Sequence, residues 1–165
     1  MSDKIYNTLF LCTGNSARSI MAEVLLNQFG NGRFKAYSAG SQPGAQVNPL
    51  TIEVLQSTQL PTDGLRSKNW DEFATPDAPQ MDFVITLCDK AAGEQCPVWP
   101  GQPITAHWGF EDPSEFQGSP EKNRDHFDKI FRQIANRIKI FASLPLTSLD
   151  RVAIKHELDS LGNSK

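Results

Sequence analysis

Residues 5–19 read IYNTLFLCTGNSARS, and this stretch gives the main evidence for the fold of the chain. Its first part is mostly apolar, which predicts a buried strand over Ile5–Cys12. A glycine-bearing loop follows, and a helix is predicted over Ala17–Phe29. The apolar side chains of that helix recur on one face, at Ile20, Met21, Val24, Leu25 and Phe29. A strand, a short loop and a helix in this order are typical of a parallel α/β sheet.

The rest of the chain continues the alternation. Further strands are predicted over 33–39, 81–88 and 103–107, and further helices over 49–58, 120–141 and 148–161. Asn48 and Ser119 each precede a proline, as N-cap residues often do, and Gly162 is expected to close the last helix. We expect one α/β domain with a four-stranded parallel sheet flanked by helices on both faces. Residues 1–146 would form its main part, and 147–165 a C-terminal helical extension of the same domain.

Composition excludes several classes of protein. The 165 residues carry 16 Lys and Arg against 19 Asp and Glu, so the net charge is −3. A chain with this charge has no overall electrostatic attraction to nucleic acid. No apolar run approaches the ~20 residues that a membrane span needs. The three cysteines come without an export signal, which argues against a disulfide scaffold. We expect a cytoplasmic monomer that binds neither nucleic acid nor membrane.

The loop after the first strand has the pattern C-x5-R-S. A short loop that enters a helix turns backbone N–H groups inward and can bind an oxyanion. Arg18 can add a two-pronged contact to such an anion, and the same positive field stabilises the thiolate of Cys12 as a nucleophile. Ser19 can donate a hydrogen bond to that thiolate when it leaves. The alternative is a cysteine that packs as a small apolar side chain. The predicted anion-binding residues are Thr13, Gly14, Asn15, Ser16, Ala17 and Arg18.

Two further cysteines follow the third predicted strand. Cys88 ends that strand and Cys96 lies in the loop after it. Their spacing, with His107 as the next possible ligand, does not match a tetrahedral zinc site. Two readings stay open: both thiols are buried and inert, or they take part in thiol–disulfide exchange with Cys12.

Four stretches carry a resemblance to a known family: CTGNSARS followed by MAE at 12–23, YSAGSQP at 37–43, VITLCDKAAGEQCPVWP at 84–100 and ITAHWGFEDPS at 104–114. In them the chain resembles the arsenate reductases that share the fold of the low-molecular-weight protein tyrosine phosphatases, in particular the thioredoxin-coupled type. The first stretch alone would also fit a phosphatase of that fold. The two later stretches favour the reductase.

The resemblance implies a catalytic sequence. Cys12 attacks arsenate held by Arg18 and the loop, and Asp112 acts as the general acid. Cys88 then attacks Cys12, and Cys96 attacks Cys88. No cofactor is bound, phosphate competes with arsenate, and the outside reductant is thioredoxin or, as second choice, glutathione with glutaredoxin. The predicted catalytic residues are Cys12, Arg18, Ser19, Cys88, Cys96 and Asp112.

Three alternatives accompany this interpretation. One is a non-enzymatic anion-binding or redox-sensing module, which would require an unreactive Cys12 thiolate. The chain could be a tyrosine phosphatase, in which water resolves the Cys12 intermediate and the later cysteines are dispensable. Asp112, followed by proline, could merely form a turn. Some family members bind potassium near the loop, and Asn15, Glu23 and Ser38 match part of that site. No metal is predicted, because Arg66 and Lys68 put positive charge where ligands would be needed.

Overall fold

The computed structural model describes residues 5–15, 17–30, 32–43, 46–87, 103–111, 113 and 118–163. Its centre is a four-stranded sheet in the order β2-β1-β3-β4, with every neighbouring pair parallel. The strands are β1 (Tyr6–Cys12), β2 (Phe34–Gly40), β3 (Phe83–Thr86) and β4 (Ile104–His107). The predicted parallel α/β architecture is confirmed. Strand β3 is shorter than predicted, and Cys88, which was expected to end it, lies outside the described residues.

Helix α1 (Arg18–Phe29) follows β1 and is buried along most of its length. Ile20, Met21, Val24 and Leu25 are buried as predicted. Phe29 is not: its side chain is 36% exposed. It occupies the last turn, where the helix leaves the core, and the ammonium group of Lys139 lies 5.1 Å from the centre of its ring. The prediction of a buried Phe29 was therefore wrong.

Helices α2 (Pro49–Ser57) and α3 (Pro120–Ala142) begin where the proline signals predicted them. The side chain of Asn48 accepts a hydrogen bond from the backbone N–H of Leu50 at 2.9 Å. Ser119 accepts one from Lys122 at 3.2 Å. The predicted apolar stripe of α3 is entirely buried: Phe127, Ile130, Phe131, Ile134, Ile138 and Phe141. No helix in the described part of the chain is long and apolar enough to span a bilayer.

The C-terminal helix α4 (Arg151–Asn163) begins and ends later than predicted. A 3-10 helix occupies Leu146–Ser148, and Leu149 is extended, so a helix cannot start at residue 148. Asp150 instead accepts a hydrogen bond from the backbone N–H of Ala153 at 2.8 Å, as an N-cap does. Gly162, expected to close the helix, lies inside its last turn.

Both faces of the sheet are covered. All four α-helices of the described residues contribute to the larger apolar core, which includes Phe10 and Phe83 of the sheet. A smaller core lies on the opposite face, where a 3-10 helix (Trp70–Phe73) packs over Leu9, Leu11 and Val84. The alternation of these side chains along β1 and β3 is what a two-faced sheet requires.

Candidate active site

The site forms where three parallel strands end together. Leu11 of β1 pairs with Thr86 of β3, and Thr86 pairs with His107 of β4. The backbone N–H of Leu87 continues this line by donating to the carbonyl of Leu11 at 2.8 Å. Ligands of open parallel sheets bind beyond the carboxyl ends of the strands, and Cys12, the last residue of β1, lies at this edge.

The thiol of Cys12 is 2% exposed, and its sulfur lies 3.0 Å from the hydroxyl oxygen of Ser19. The side-chain amide of Asn15 donates to that same hydroxyl at 2.8 Å. Because the Ser19 oxygen accepts this bond, its own proton can point to the Cys12 sulfur. The arrangement can supply the hydrogen-bond donor that a thiolate needs, and the role of Ser19 in catalysis stays a prediction.

Asn15 holds the loop in a conformation that few residues adopt. Its φ is 47°, a left-handed value that asparagine tolerates better than most side chains. Its side-chain oxygen accepts the backbone N–H of Lys68 at 2.9 Å, and its carbonyl accepts the hydroxyl of Ser67 at 2.7 Å. These bonds fix which end of the amide faces Ser19.

The end of β2 also shapes the loop. A Cβ atom added at Gly40 would lie 2.4 Å from the carbonyl oxygen of Thr13 and 2.7 Å from that of Cys12. The loop can pass this close only because residue 40 has no side chain. The carbonyl of Thr13 also accepts the backbone N–H of Gln42 at 2.9 Å, so residues after β2 help to hold the loop.

A buried lysine lies behind the loop. The side chain of Lys68 is 10% exposed, and its ammonium group donates to the carbonyl of Ser38 at 2.9 Å. The same nitrogen lies 3.5 Å from the amide oxygen of Asn15 and 3.9 Å from a carboxylate oxygen of Glu23. Burial lowers the pKa of Lys68 and raises that of Glu23, which also accepts the hydroxyl of Ser38.

This geometry bears on the potassium site of the resembling family. The ammonium group of Lys68 lies among the oxygens of Asn15, Ser38 and Glu23 that match part of that site. A potassium ion there would lie against a fixed positive charge, so these residues do not fit an added cation. Within the described ranges, no group of three His, Cys, Asp or Glu side chains is arranged to hold a metal ion.

Arg18 joins the loop to a second segment of the site. Its guanidinium is mostly buried, the residue being 8% exposed, and its Nη1 donates to the carbonyl of Phe110 at 2.8 Å. The backbone N–H of Phe110 in turn donates to the carbonyl of Leu87 at 2.9 Å. The guanidinium of Arg137 lies 4.9 Å from the centre of the Phe110 ring. The segment that leads toward residue 112 is thus tied to both β3 and the anion loop.

The start of α1 can serve an anion as well. The N-cap residue is Ala17, whose methyl group offers no oxygen to cap the backbone N–H groups of the first turn. A negatively charged oxygen above Cys12 could accept them and would be favoured by the helix dipole. Together with Arg18, this makes the loop suited to a tetrahedral oxyanion next to a nucleophilic sulfur.

The structure brings together only part of the predicted set. Cys12 and Ser19 are in contact and Arg18 begins the helix beside them, with Thr13, Gly14, Asn15 and Ala17 in the connecting loop. Four predicted residues lie outside the described ones: Ser16, Cys88, Cys96 and Asp112. Sequence reasoning missed the supporting contacts of Ser67 and the Phe110 carbonyl. The sequence analysis treated Lys68 only as a positive charge unfavourable to a metal. The same charge was the available signal that Lys68 could pair with Glu23 inside the protein.

Comparisons with known proteins identify the family of the chain. Residues 7–154 match the low molecular weight phosphotyrosine protein phosphatase family. The arsenate reductase of Bacillus subtilis is 37% identical over 133 residues, which cover 81% of this chain and 92% of that protein. The arsenate reductase of Oceanobacillus iheyensis is 37% identical over 142 residues, covering 86% and 97%.

A solved structure agrees as well. The crystal structure of an arsenate reductase from Archaeoglobus fulgidus superposes with a TM-score of 0.66 at 26% identity, covering 83% of this chain and 99% of that one. The match to the family spans most of the chain, and the two reductases above are covered over 92% and 97% of their length. The chain belongs to the low molecular weight phosphotyrosine protein phosphatase family and, within it, to the arsenate reductases.

Proposed function

We propose that this protein reduces arsenate to arsenite, with the Cys12 thiolate as the nucleophile. The observation that carries the proposal is the contact between the Cys12 sulfur and the Ser19 hydroxyl at the end of β1, beside a helix that begins with the buried Arg18. Arsenate reductases align with the chain over most of its length, which favours reduction over phosphate ester hydrolysis.

In the first step, the Cys12 sulfur attacks the arsenic atom and forms an arsenic–sulfur bond. Arg18 and the backbone N–H groups of residues 13–18 hold the oxyanion, as positioned donors do for developing charge. We assign Asp112 the role of general acid, which protonates the oxygen that leaves as water. Ser19 stabilises the thiolate before the attack.

A relay of thiols then completes the reduction. The Cys88 thiolate attacks the sulfur of Cys12, the arsenic–sulfur bond breaks, and its electron pair stays on arsenic, which leaves as arsenite. Two thiols have then lost two electrons and formed a Cys12–Cys88 disulfide. Cys96 attacks Cys88 and frees Cys12, leaving a Cys88–Cys96 disulfide for an outside donor to reduce.

Thioredoxin is the donor that we propose first. A dithiol protein can attack one sulfur of the Cys88–Cys96 disulfide and resolve the mixed disulfide with its own second thiol. Glutathione with glutaredoxin is the second candidate. Both donors belong to a reducing compartment, in keeping with the cytoplasmic location expected from the cysteine content.

The test is NADPH consumption with arsenate, first with thioredoxin and its reductase and then with glutathione, glutaredoxin and its reductase. We expect turnover with the thioredoxin system, and turnover with the glutathione system alone would change the donor but keep the reaction. No turnover with either system, together with rapid hydrolysis of an aryl phosphate, would identify a phosphatase instead.

Variants separate the three thiols. Cys88→Ser and Cys96→Ser should each abolish multiple turnover with arsenate, because the relay stops. Cys88→Ser should retain any slow hydrolysis of aryl phosphate, since Cys12 and its loop remain, whereas Cys12→Ser should lose both activities. If Cys88→Ser also lost the hydrolysis, the division of roles between Cys12 and Cys88 would be wrong.

A further inference from the structure

Helix α4 lies against the strand and segment that face the anion loop, although the family match ends inside this helix at residue 154. The 142 residues shared with the Oceanobacillus iheyensis relative account for 97% of that protein but only 86% of this chain. The last turns of α4, which follow the matched segment, are therefore a feature of this chain that the family match does not explain.

The approach between α4 and β4 is very close at Gly162. A Cβ atom added there would lie 2.2 Å from the carbonyl oxygen of His107 and 3.1 Å from a ring carbon of Trp108. Glycine inside a helix is unfavourable relative to alanine. Its presence in the last turn of α4 is explained by this contact, since any side chain would push the helix away.

Trp108 connects the helix to the site. Its indole is 1% exposed, and its N–H donates to the carbonyl of Leu158 in α4 at 3.0 Å. Its backbone N–H donates to Thr86 at 2.7 Å, and its ring packs edge-on against Phe141. Trp108 is thereby fixed on three sides, by α4, β3 and α3.

A second contact holds the same helix to β4. The ammonium group of Lys155 donates to the carbonyl of Thr105 and also pairs with Asp159 at 2.9 Å, one turn along the helix. The described contacts of α4 with β4 and Trp108 thus run from Lys155 to Gly162. They follow the strand to the point where the segment toward the anion loop begins.

We propose that α4 is a positioning element for the anion loop. By fixing Trp108, it fixes the carbonyl of Phe110 two residues later, and that carbonyl accepts the hydrogen bond from Arg18. The guanidinium is then held in place before an anion arrives, which lowers the entropic cost of binding. Gly162 and Trp108 act through Arg18 and are positioning residues. The inference rests on the proposed function only in naming arsenate as the anion.

The test measures anion binding without turnover, with inorganic phosphate as the probe and calorimetry as the method. Gly162→Ala should weaken phosphate binding by about tenfold, the order of magnitude expected when a charge-assisted contact is misplaced. Trp108→Phe, which removes the indole N–H, should weaken it in the same direction. The matched control is Phe131→Leu, which loosens the core near Leu25 and Phe29 at the other end of α1 from Arg18.

A positioning role also predicts coupling between the two sites. In an Arg18→Lys background, Gly162→Ala should change phosphate affinity less than about twofold, because the residue it acts through is gone. The rate at which iodoacetamide alkylates Cys12, compared with and without phosphate, measures phosphate affinity independently of calorimetry.

Two outcomes would overturn the proposal. In one, Gly162→Ala and Trp108→Phe lower the melting temperature as Phe131→Leu does, while phosphate affinity stays at the wild-type value. In the other, the effects of Gly162→Ala and Arg18→Lys on the free energy of phosphate binding are additive. Neither result depends on arsenate reduction, so failure of this inference is distinguishable from failure of the proposed function.

Discussion

The two sides of the active site are built in different ways. The anion loop has contacts within its own motif, where Cys12 contacts Ser19 seven residues on and Asn15 contacts Ser19 four residues on. Ser67 and Lys68 also support Asn15, from 52 and 53 residues away. The facing segment around Trp108 and Phe110 is held by residues from far along the chain. Arg18 and Phe110 are 92 residues apart, and Trp108 and Leu158 are 50 apart.

This difference separates the contacts that a short sequence motif contains from those that distant parts of the fold supply. The contacts of Cys12 and Asn15 with Ser19 can be recognised from a short pattern of letters, because that pattern contains both partners of each contact. A segment held at long range has no such pattern, although its position matters equally to Arg18. Substitutions on each side measure how far the two sides depend on one another for binding and stability.

The largest effect is expected where the two sides meet. Arg18→Lys should lower kcat/KM for arsenate by about 100-fold, because lysine cannot bind the oxyanion with two prongs while also holding the Phe110 carbonyl. Steady-state kinetics with arsenate, together with calorimetric binding of phosphate, measure the change. Most of it should appear in binding.

The matched control is Arg132→Lys on the exposed face of α3, which should leave kcat/KM within about twofold, as surface substitutions usually do. Wild-type phosphate affinity in Arg18→Lys would contradict the role of the guanidinium, and with it the coupling between the two sides.

A smaller effect is expected within the loop itself. Asn15→Ala should lower the free energy of unfolding by about 2 kcal/mol, since alanine is strained at a left-handed φ and the bonds to Ser19 and Lys68 are lost. Urea denaturation measures this loss. Asn15→Gly, which tolerates the backbone but lacks the bonds, should recover part of it. Equal stability of the two variants would show that the backbone angle costs nothing there.

The smallest effect is on the pH dependence of stability and concerns Glu23 and Lys68, the buried pair behind the loop. Burial raises the pKa of Glu23 in the folded protein above its ordinary value of 4.5. The unfolded chain therefore releases this proton at lower pH than the folded one. The contribution of Glu23 to stability is full below about pH 4.5 and is lost as pH rises through the higher folded pKa.

The comparison that isolates this effect is with Glu23→Gln, which does not titrate. The stability of the wild type relative to this variant should fall as pH rises above about 4.5, the ordinary pKa of the carboxyl group. Urea denaturation at intervals of pH gives the curve. A difference that rises with pH would mean that the ion pair with Lys68 outweighs the burial of Glu23.

Much of the fold could be read from local signals. Asn48 and Ser119, each before a proline, located the starts of α2 and α3 within a residue, because a cap and its first turn are adjacent in sequence. The spacing of apolar residues in α3 identified its buried stripe. The same reasoning failed for Phe29, whose exposure depends on where the core ends, and for Gly162, whose neighbour His107 lies in another strand.

From the sequence came the order of strands and helices along the chain, which the structure confirms, and the C-x5-R-S pattern from Cys12 to Ser19, whose catalytic roles stay predictions. Periodicity, caps and a nucleophile beside its anion donors are all local properties, expressed within one or two helical turns. The tertiary structure decided what holds that loop in place: Lys68 behind Asn15, and Trp108 and α4 behind the Phe110 carbonyl that binds Arg18. These contacts arise only when the whole sheet has packed, because each joins residues that the chain itself keeps far apart.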